Sequence, residues 1–194
     1  GTRGEEFVGG KYIREGYTIT SRGCPNKCWF CTVWRRDGHV VRELPIVDGW
    51  NILDDNILAC SEGHIKSVFA MLKRQKTRAQ FTGGLEAKRL KRWHCELLAD
   101  LHPKQMFFAY DTPDDWEPLI QASKLLDEHG ILNRTQCRCY VLIGWNGDTF
   151  EHAEYRLKRV VSLGMFPMAM CSGITRVRPM LNGEGFKGFG QDPH

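Results

Sequence analysis

The stretch Met106-Phe107-Phe108-Ala109-Tyr110 is a short apolar run, followed by a helical pattern over residues 112–130 and then by a second run, Cys139-Tyr140-Val141-Leu142-Ile143. Both runs predict buried strands because they are short and rich in aromatic and aliphatic residues. A helix between two strands is typical of a parallel pair joined by a right-handed crossover. The stretch therefore predicts one strand–helix–strand unit of an α/β fold.

The same alternation extends over most of the chain. Six apolar runs predict strands, and helical patterns separate most of them; the runs are residues 17–21, 50–54, 79–82, 106–110, 139–143 and 165–171. We predict an α/β fold with a parallel sheet and outer helices, closed in part into a TIM-like (β/α)6 barrel. Sites in such folds lie at the carboxyl ends of the strands, so the residues just after each run are the candidates.

Length and composition indicate a single globular domain. We predict that the 194 residues form one domain, with the barrel over residues 17–171 and a C-terminal extension over residues 172–194. The chain is 42% hydrophobic and 26% charged, which is the composition of a soluble globular protein. No run approaches the ~18 apolar residues that a membrane span needs, and the first residues have no signal-peptide character. We therefore expect a cytoplasmic location and no membrane partner.

Three cysteines lie close together after the first predicted strand: Cys24, Cys28 and Cys31. Their spacing allows three thiolates to hold an iron–sulfur cubane, in which each iron takes one cysteine ligand. Four irons and three cysteines leave one iron open to a small molecule. The alternatives are a disulfide pair and a zinc knot, to which His39 could add a ligand. A disulfide framework is not expected in a reducing compartment.

The motif Cys-x-x-x-Cys-x-x-Cys, with the aromatic Phe30 directly before its third cysteine, resembles the signature of the radical S-adenosylmethionine (SAM) enzymes. The resemblance covers residues 17–171 and is specific around the cysteines. It implies a [4Fe–4S] cluster whose open iron binds SAM, with Phe30 beside that site. It also implies reductive cleavage of SAM to a 5′-deoxyadenosyl radical, which takes hydrogen from a substrate that the resemblance does not name.

The same resemblance has consequences for fold and partners. The radical SAM core is a six-unit partial barrel, and this chain is similar to the core of the methylthiotransferase and cobalamin-dependent branches without their additional domains. A reductant such as flavodoxin or ferredoxin is implied as a partner, together with SAM and an unknown substrate. The rival hypothesis is a non-catalytic iron–sulfur or zinc module, which would bind metal but not SAM.

Polar residues follow the second predicted strand as Asp54-Asp55-Asn56. Carboxylates at this place would face the cysteine loop and hold the ammonium group of an amino-acid ligand by charge-assisted hydrogen bonds. The alternative is a turn or a helix cap, because Asp and Asn cap helices readily. Many members of the two branches named above carry a similar triplet here, which implies that all three residues bind SAM.

Two later strand ends supply further candidates. Asp111 looks like the position where relatives place a carboxylate beside the ribose or amine of SAM, although it could instead cap the next helix. The turn that begins at Ile143 and Gly144 is similar to the Gly-x-Pro-Gly-Glu-Thr turn of many radical SAM proteins. That similarity implies that Gly144 packs near adenine and that Ile143 covers the ring.

Two other residues are weaker candidates. Glu86 follows a glycine pair, as in the family's Gly-Gly-Glu motif, which holds the SAM amine. That motif normally follows the second strand rather than the third, so the role is not carried over to Glu86. Arg138, inside the fifth predicted strand, is a candidate partner for a carboxylate or a substrate, although an arginine at an exposed strand start is more common.

Two segments are predicted in more detail. Gly38, Pro45 and Gly49 interrupt residues 32–48, which predicts a shortened, irregular connection with a small strand at residues 39–44. A helix is predicted to begin at Asp148 with a capping-box-like pair formed by Asp148 and Glu151. Its buried stripe is predicted to comprise Phe150, Ala153, Leu157, Val160 and Val161.

The segment from Lys66 to Arg92 is strongly basic, with nine Lys or Arg and a single acid, Glu86. Most such segments are solvated helix faces. A basic side could also bind a polyanion, although no interleaved aromatic stripe supports base stacking. A nucleic-acid-binding or RNA-modifying protein is therefore a further hypothesis, and its affinity should fall steeply with salt.

Overall fold

The computed structural model describes residues 13–172, so nearly all of the predicted C-terminal extension lies outside the described residues. Within this range none of the helices is long and apolar enough to cross a membrane. The strands are β1 Tyr17–Thr18, β2 Ser21–Arg22, β3 Arg42–Glu43, β4 Asn51–Ile52, β5 Gln80–Phe81, β6 Gln105–Ala109, β7 Cys137–Ile143 and β8 Phe166–Cys171. The α-helices are α1 Val33–Arg36, α2 Glu62–Lys73, α3 Arg92–Leu101, α4 Trp116–Glu128 and α5 Phe150–Ser162.

Six of these strands form one sheet in the order β1-β4-β5-β6-β7-β8. Every neighbouring pair in it is parallel. The order in space follows the order along the chain, as expected when each crossover places the next strand beside the last. The predicted α/β fold with a parallel sheet and flanking helices is confirmed. All six strands end at the same edge of the sheet, which we call the carboxyl edge.

The prediction of one continuous strand over residues 17–21 is wrong. The segment divides into β1, which belongs to the large sheet, and β2, which pairs antiparallel with β3. The division has a local cause, because the backbone N–H of Thr20 donates to the Asp54 carboxylate at 2.6 Å instead of to a neighbouring strand. The small strand predicted within residues 39–44 is confirmed by β3, and α1 is a single turn within the irregular connection.

The helices cover one face of the sheet and bury the main hydrophobic core. From α2, Ile65, Val68, Phe69 and Leu72 are buried, as their helical spacing predicts. The strands contribute alternate residues, and in β7 these are Cys137, Cys139 and Val141. Each large apolar side chain buried in this way contributes about 1.5–3 kcal/mol. Cys137 and Cys139 are therefore small core residues, as the sequence indicates.

The inner face of α5 differs from the prediction. Phe150 is 80% exposed and Val161 is 37% exposed, whereas Arg156 is buried together with Val160. The capping-box prediction is also wrong, because Thr149 caps the helix by accepting from the N–H of His152 at 3.2 Å. The Arg156 guanidinium donates to the Asp148 carboxylate at 2.8 Å. A buried arginine needs such a partner, and this pairing decides which side of α5 faces inward.

The opposite face of the sheet, which we call the open face, carries the remaining side chains of the strands. Because side chains alternate along a strand, Arg138, Tyr140 and Leu142 of β7 point away from the helices. Phe107 of β6 lies opposite Arg138 in register, and Phe166 of β8 lies opposite it on the other side. The open face is therefore lined by a mixture of aromatic, apolar and basic side chains.

Candidate functional site

The three cysteines of the motif lie in the loop between β2 and α1. All three are free thiols and half-buried, so the disulfide alternative is not realised in this structure. The Cys24 N–H donates to the carbonyl of Gly38 at 3.3 Å, and the Cys31 N–H donates to that of Cys28 at 3.1 Å. The indole of Trp34 donates to the same Cys28 carbonyl at 3.0 Å. Backbone bonds therefore shape the cysteine loop at both ends.

Gly23, directly before the first cysteine, has a positive φ of 94°. A Cβ at this position would lie 2.4 Å from the carbonyl oxygen of Val40, so any other residue would force the backbone apart. The Gly23 N–H donates to the Asp55 carboxylate at 2.9 Å. Gly23, Val40 and Asp55 belong to three segments that approach closely here, and this contact sets the position at which the cysteine loop begins.

Asp54 is buried and directed at the chain before the cysteine loop rather than at a cleft. Its carboxylate accepts from the Thr20 N–H and the Thr20 hydroxyl, each at 2.6 Å, and from the Ser21 hydroxyl at 2.7 Å. Burial raises the pKa of Asp54, and the hydrogen bonds from Thr20 and Ser21 oppose that rise. Its donors occupy the carboxylate, so Asp54 ties the end of β4 to the start of the loop.

Asp55 acts next to it. The carboxylate accepts from the N–H of Gly23 and forms ion pairs with Arg22 at 3.4 Å and Arg36 at 3.3 Å. The two arginines lie before and after the cysteines in sequence. Asp55 therefore holds both sides of the cysteine loop.

Asn56 lies nearest to the cysteines among the three residues of the triplet. Its side-chain N–H donates to the Cys24 thiol at 3.4 Å and to the Glu86 carboxylate at 2.6 Å. Its carbonyl oxygen is buried and lacks a hydrogen-bond partner within residues 13–172. Although Asn56 precedes a 3₁₀ turn, its side chain makes no capping hydrogen bond there. An unused acceptor beside a cysteine is available to a ligand.

Glu86 is the residue of this region that the sequence interpretation set aside. It follows β5, which lies beside β4, so its carboxylate reaches both Asn56 and Asn26 of the cysteine loop, the latter at 3.0 Å. Burial raises the pKa of the Glu86 carboxyl. Hydrogen bonds from Asn56, Asn26 and Lys88 together lower it by more, so the net shift is downward. The glycine pair before Glu86 was the sequence feature that could have identified this residue. Residues at strand ends meet when their strands are neighbours in the sheet, whatever the position of those strands along the chain.

Gly83 explains how the ends of β4 and β5 come so close. A Cβ on Gly83 would lie 2.4 Å from the carbonyl oxygen of Asp54. The turn after β5 therefore packs directly on the backbone that carries the Asp54-Asp55-Asn56 triplet. A side chain at this position would push Glu86 away from Asn56.

Asp111 lies at the end of β6 and does not cap the next helix. Asp115 instead forms a capping box with Thr112 at the 3₁₀ turn Pro113–Asp115 that precedes α4, and its carboxylate accepts from the N–H and the hydroxyl of Thr112 at 2.8 and 2.9 Å. The Asp111 carboxylate accepts from the N–H of Leu142 in β7 at 3.1 Å. Burial and then the neighbouring Asp115 raise the pKa of Asp111 to about 6. Asp111 is thus a carboxylate with remaining acceptor capacity at the carboxyl edge.

The turn after β7 is held by a buried ion pair. Gly144 has a φ of 71°, and its N–H donates to Asp148 at 2.8 Å. Arg156 donates to the same carboxylate and to the carbonyl of Leu142 at 3.0 Å. Ile143 packs against the helix-covered core, whereas the preceding Leu142 points to the open face. Leu142 is therefore a second candidate that the sequence interpretation did not name.

Negative groups converge on the cysteine loop. Burial raises the pKa of the Cys28 thiol, and the neighbouring Cys31, Cys24, Asp115 and Asp111 raise it further. Asp111 and Asp115 therefore lie within electrostatic range of Cys28, as do Cys24 and Cys31. Thiolates gathered in this way repel one another unless a cation lies between them.

The aromatic residues of the loop differ in exposure. Phe30 is half-buried and packs edge-to-face on Trp29 with ring centroids 5.3 Å apart, while Trp29 is 54% exposed. His39, the conceivable fourth zinc ligand, stacks on Trp34 with centroids 5.4 Å apart. Phe30 therefore packs on an exposed indole.

The residues can be tested against an iron–sulfur cluster. Across the described residues 13–172, no group of three or more His, Cys, Asp or Glu side chains is arranged so that it could hold a metal ion. A cubane asks for a wider arrangement than a single ion, because each of its thiolates binds a different iron. Such a cluster fits the three free thiols in one loop and the amide that donates to a cysteine sulfur. Its irons would also offset the repulsion among the thiolates.

The basic segment between Lys66 and Arg92 is not a continuous surface of unpaired charge. Its residues are distributed over α2, α3 and the chain between them, and Arg78 donates to the carbonyls of His102 and Pro103 at 2.9 and 3.0 Å. Other members pair with acids elsewhere in the described chain: Lys66 with Glu62, Lys73 with Asp100, Arg74 with Asp48, Lys88 and Arg89 with Glu86, and Arg92 with Glu128. These contacts reduce the positive charge that the segment offers to a polyanion.

Comparison with known proteins adds no assignment, since neither a family model nor a curated protein matches the chain.

Proposed function

We propose that this protein is a radical SAM enzyme in which Cys24, Cys28 and Cys31 hold a [4Fe–4S] cluster. The observation that carries the proposal is the placement of three free, half-buried cysteines, in the family's spacing, on a loop bound to the ends of β1, β4 and β5. When bound, the cluster supplies the electron that cleaves SAM to methionine and a 5′-deoxyadenosyl radical, which removes hydrogen from the substrate.

The finer architecture is part of this proposal. We infer that the six parallel strands curve into a partial barrel with the helices outside and the open face inside. The sequential strand order and the one-sided helix layer support this inference. A partial barrel would turn the carboxyl edge into a rim around one cleft, with the cysteine loop on one side and Asp111 with Gly144 on the other.

Asn56 is best placed to hold the amino-acid part of SAM, because its carbonyl oxygen has no partner within residues 13–172 and its amide donates to Cys24. Glu86 orients this amide, since its carboxylate accepts from Asn56 and Asn26 and pairs with Lys88 and Arg89. Asp54 and Asp55, which the sequence also assigns to SAM, already accept from the chain around the cysteine loop. Their proposed role is to position the cysteines.

Asp111, Leu142 and Gly144 are proposed to bind the nucleoside. The Asp111 carboxylate can accept from a ribose hydroxyl while it keeps its bond to the Leu142 N–H. Leu142 offers an apolar side chain on the open face, and the Asp148–Arg156 pair keeps the Gly144 turn in place. These groups bind and orient, and the buried floor beneath them excludes water.

A reductant is proposed to approach at Trp29. This indole is 54% exposed, and Lys27, two residues before it, and Arg35, six residues after it, are exposed cations. An acidic electron carrier such as flavodoxin or ferredoxin would complement this combination of an aromatic ring and positive charge.

The test is anaerobic reconstitution of the full chain with iron and sulfide, followed by dithionite, SAM and quantification of 5′-deoxyadenosine. We expect close to four irons per chain, as a cubane requires, and release of 5′-deoxyadenosine. Cys28→Ala should abolish that release. Cys95→Ala is the matched control, because Cys95 is buried in α3 within the helix layer, and it should leave both readouts unchanged.

Two results would contradict the proposal. One is a single tightly bound zinc with no affinity for SAM, which would indicate a structural metal module. The other is undiminished 5′-deoxyadenosine release by the Cys28→Ala protein. Circular dichroism of both variants shows whether a loss reflects the missing ligand or a protein that failed to fold.

A further inference from the structure

Arg138 is half-buried on the open face, and its contacts in the described chain are with neutral groups. With the Gln105 amide oriented to satisfy its neighbours, the Gln105 oxygen accepts from the guanidinium at 2.9 and 3.3 Å. A third nitrogen approaches the Met168 sulfur at 3.8 Å. No carboxylate within residues 13–172 forms an ion pair with it.

The contrast with Arg156 shows what is missing. Arg156 lies in the helix layer and pairs with Asp148 at 2.8 Å, with both side chains almost fully buried. A guanidinium removed from water loses hydration that neutral acceptors replace only in part. Among the described residues, Arg138 therefore has only neutral partners for its positive charge, which favours an anion.

Aromatic rings surround the Arg138 guanidinium. It lies 5.9 Å from the Phe107 ring and 5.6 Å from the Phe166 ring. Phe107 stacks on Tyr140 with centroids 5.0 Å apart, and Phe166 is 47% exposed. Such an arrangement offers stacking surfaces beside a cation, and a flat ring carrying an anionic group matches both.

The position of Arg138 along β7 separates it from the cysteine loop. It lies five residues before Ile143, the last residue of the strand. At about 3.3 Å per residue, this places it roughly 17 Å from the carboxyl edge. An amino acid held beside Cys24 would bind at that edge, so the anion that Arg138 meets belongs to a different molecule or to a distant part of one.

We propose that the open face is the substrate site and that its substrate is an organic anion with a flat ring. Arg138 holds a carboxylate or phosphate by paired hydrogen bonds, the ring packs against Tyr140 and Phe166, and the remainder extends past Leu142 to the carboxyl edge. The description of this ligand as a substrate rests on the proposed function; the anion site itself does not.

The test uses ¹⁹F NMR on the full chain with three probes: 4-fluorobenzoate, 4-fluorophenyl phosphate and the neutral 4-fluorobenzamide. At least one anion should bind about tenfold more tightly than the amide, and the two anions distinguish a carboxylate site from a phosphate site. Arg138→Gln should weaken the preferred anion about tenfold, and Arg138→Lys should weaken it less. Arg92→Gln, which removes an exposed, paired arginine, is the matched control and should change nothing.

The same Arg138→Gln protein, reconstituted with iron and sulfide, should keep the SAM affinity of the unaltered chain. Equal binding of the amide and the anions, or anion binding unaffected by Arg138→Gln, would overturn the inference. A loss of SAM affinity in this variant would also overturn it, because Arg138 would then hold SAM itself. Arg138-dependent anion binding by a chain that never cleaves SAM would support the anion site while the proposed function fails.

Discussion

The cysteine loop and the open face differ in the partners of their charged side chains. Around the loop, cations meet carboxylates: Arg22 and Arg36 pair with Asp55, and Arg89 pairs with Glu86. On the open face, Arg138 contacts an amide, a thioether and aromatic rings. The ion pairs around the cysteine loop hold segments of the chain together. On the open face, the Arg138 guanidinium contacts only neutral groups among the described residues and can still bind an anion.

The difference separates groups that build a site from groups that serve a ligand. Asp54 and Asp55 look like ligand-binding carboxylates in the sequence, yet their partners are the chain itself. Within the described residues, the Asn56 oxygen has no hydrogen-bond partner and Arg138 has neutral partners but no carboxylate. Unsatisfied polar groups are costly in a folded protein, so where they persist a ligand or partner is the first explanation to test.

The largest effect on stability is expected from Asp54→Ala, which would remove the buried hydrogen bonds that hold the chain before the cysteine loop. Three donors of Thr20 and Ser21 would lose their acceptor in a buried place. We expect the free energy of unfolding to fall by about 3 kcal/mol, measured by urea denaturation, and iron uptake to fall with it. Asp48→Ala is the control, because this side chain is 73% exposed and should change stability by less than about 0.5 kcal/mol. Equal stability of the two variants would show that the Asp54 contacts contribute little.

A pH-dependent effect is expected at Asp111, between the two regions. Burial and Asp115 raise its pKa to about 6 from the ordinary value of 3.8, so the unfolded chain releases this proton at lower pH than the folded chain. The folded state is therefore penalised increasingly as pH rises from 4 to 6, and the penalty persists above that. Asp111→Asn should raise the free energy of unfolding of the metal-free protein by about 2 kcal/mol at pH 8.

The same gain should shrink to less than half at pH 4.5, because most of the Asp111 carboxyl is protonated in the folded protein there. Urea denaturation at the two pH values measures the difference. Asp114→Asn, at an exposed neighbouring position, should show no such dependence. A gain of equal size at both pH values would indicate that a changed hydrogen bond, rather than the Asp111 charge, is responsible.

The smallest effect is expected from Arg138→Met, and its sign sharpens the comparison. Methionine keeps an apolar stem between the aromatic rings but removes a half-buried charge that forms no ion pair with a carboxylate in the described part of the chain. We expect thermal unfolding to show stability unchanged or raised by up to ~1 kcal/mol, as when a binding group is removed from a site. A fall of more than about 1 kcal/mol would mean that Arg138 is a structural residue, which would weaken the case for an anion site.

Local patterns carried much of the prediction. The periodicity of Ile65, Val68, Phe69 and Leu72 predicts α2 and its buried face, and alternation predicts the burial of Cys137 and Cys139. Both depend on the geometry of one helix or strand, so neighbouring residues contain the signal. The prediction for α5 was wrong at Phe150 and Val161, because a buried ion pair with Asp148 overrides the apolar stripe.

By itself, the sequence determined the alternation of strands and helices and the three-cysteine motif, since each is a matter of spacing along the chain. Only the tertiary structure decided that Asp54 binds Thr20 rather than a ligand, that Glu86 reaches Asn56, and that Arg138 has an amide rather than a carboxylate as its partner within residues 13–172. The physical reason is that a hydrogen bond or an ion pair depends on distance in space. Thr20 and Asp54, like Asn56 and Glu86, are separated by thirty residues or more and meet because parallel strands bring their ends to one edge.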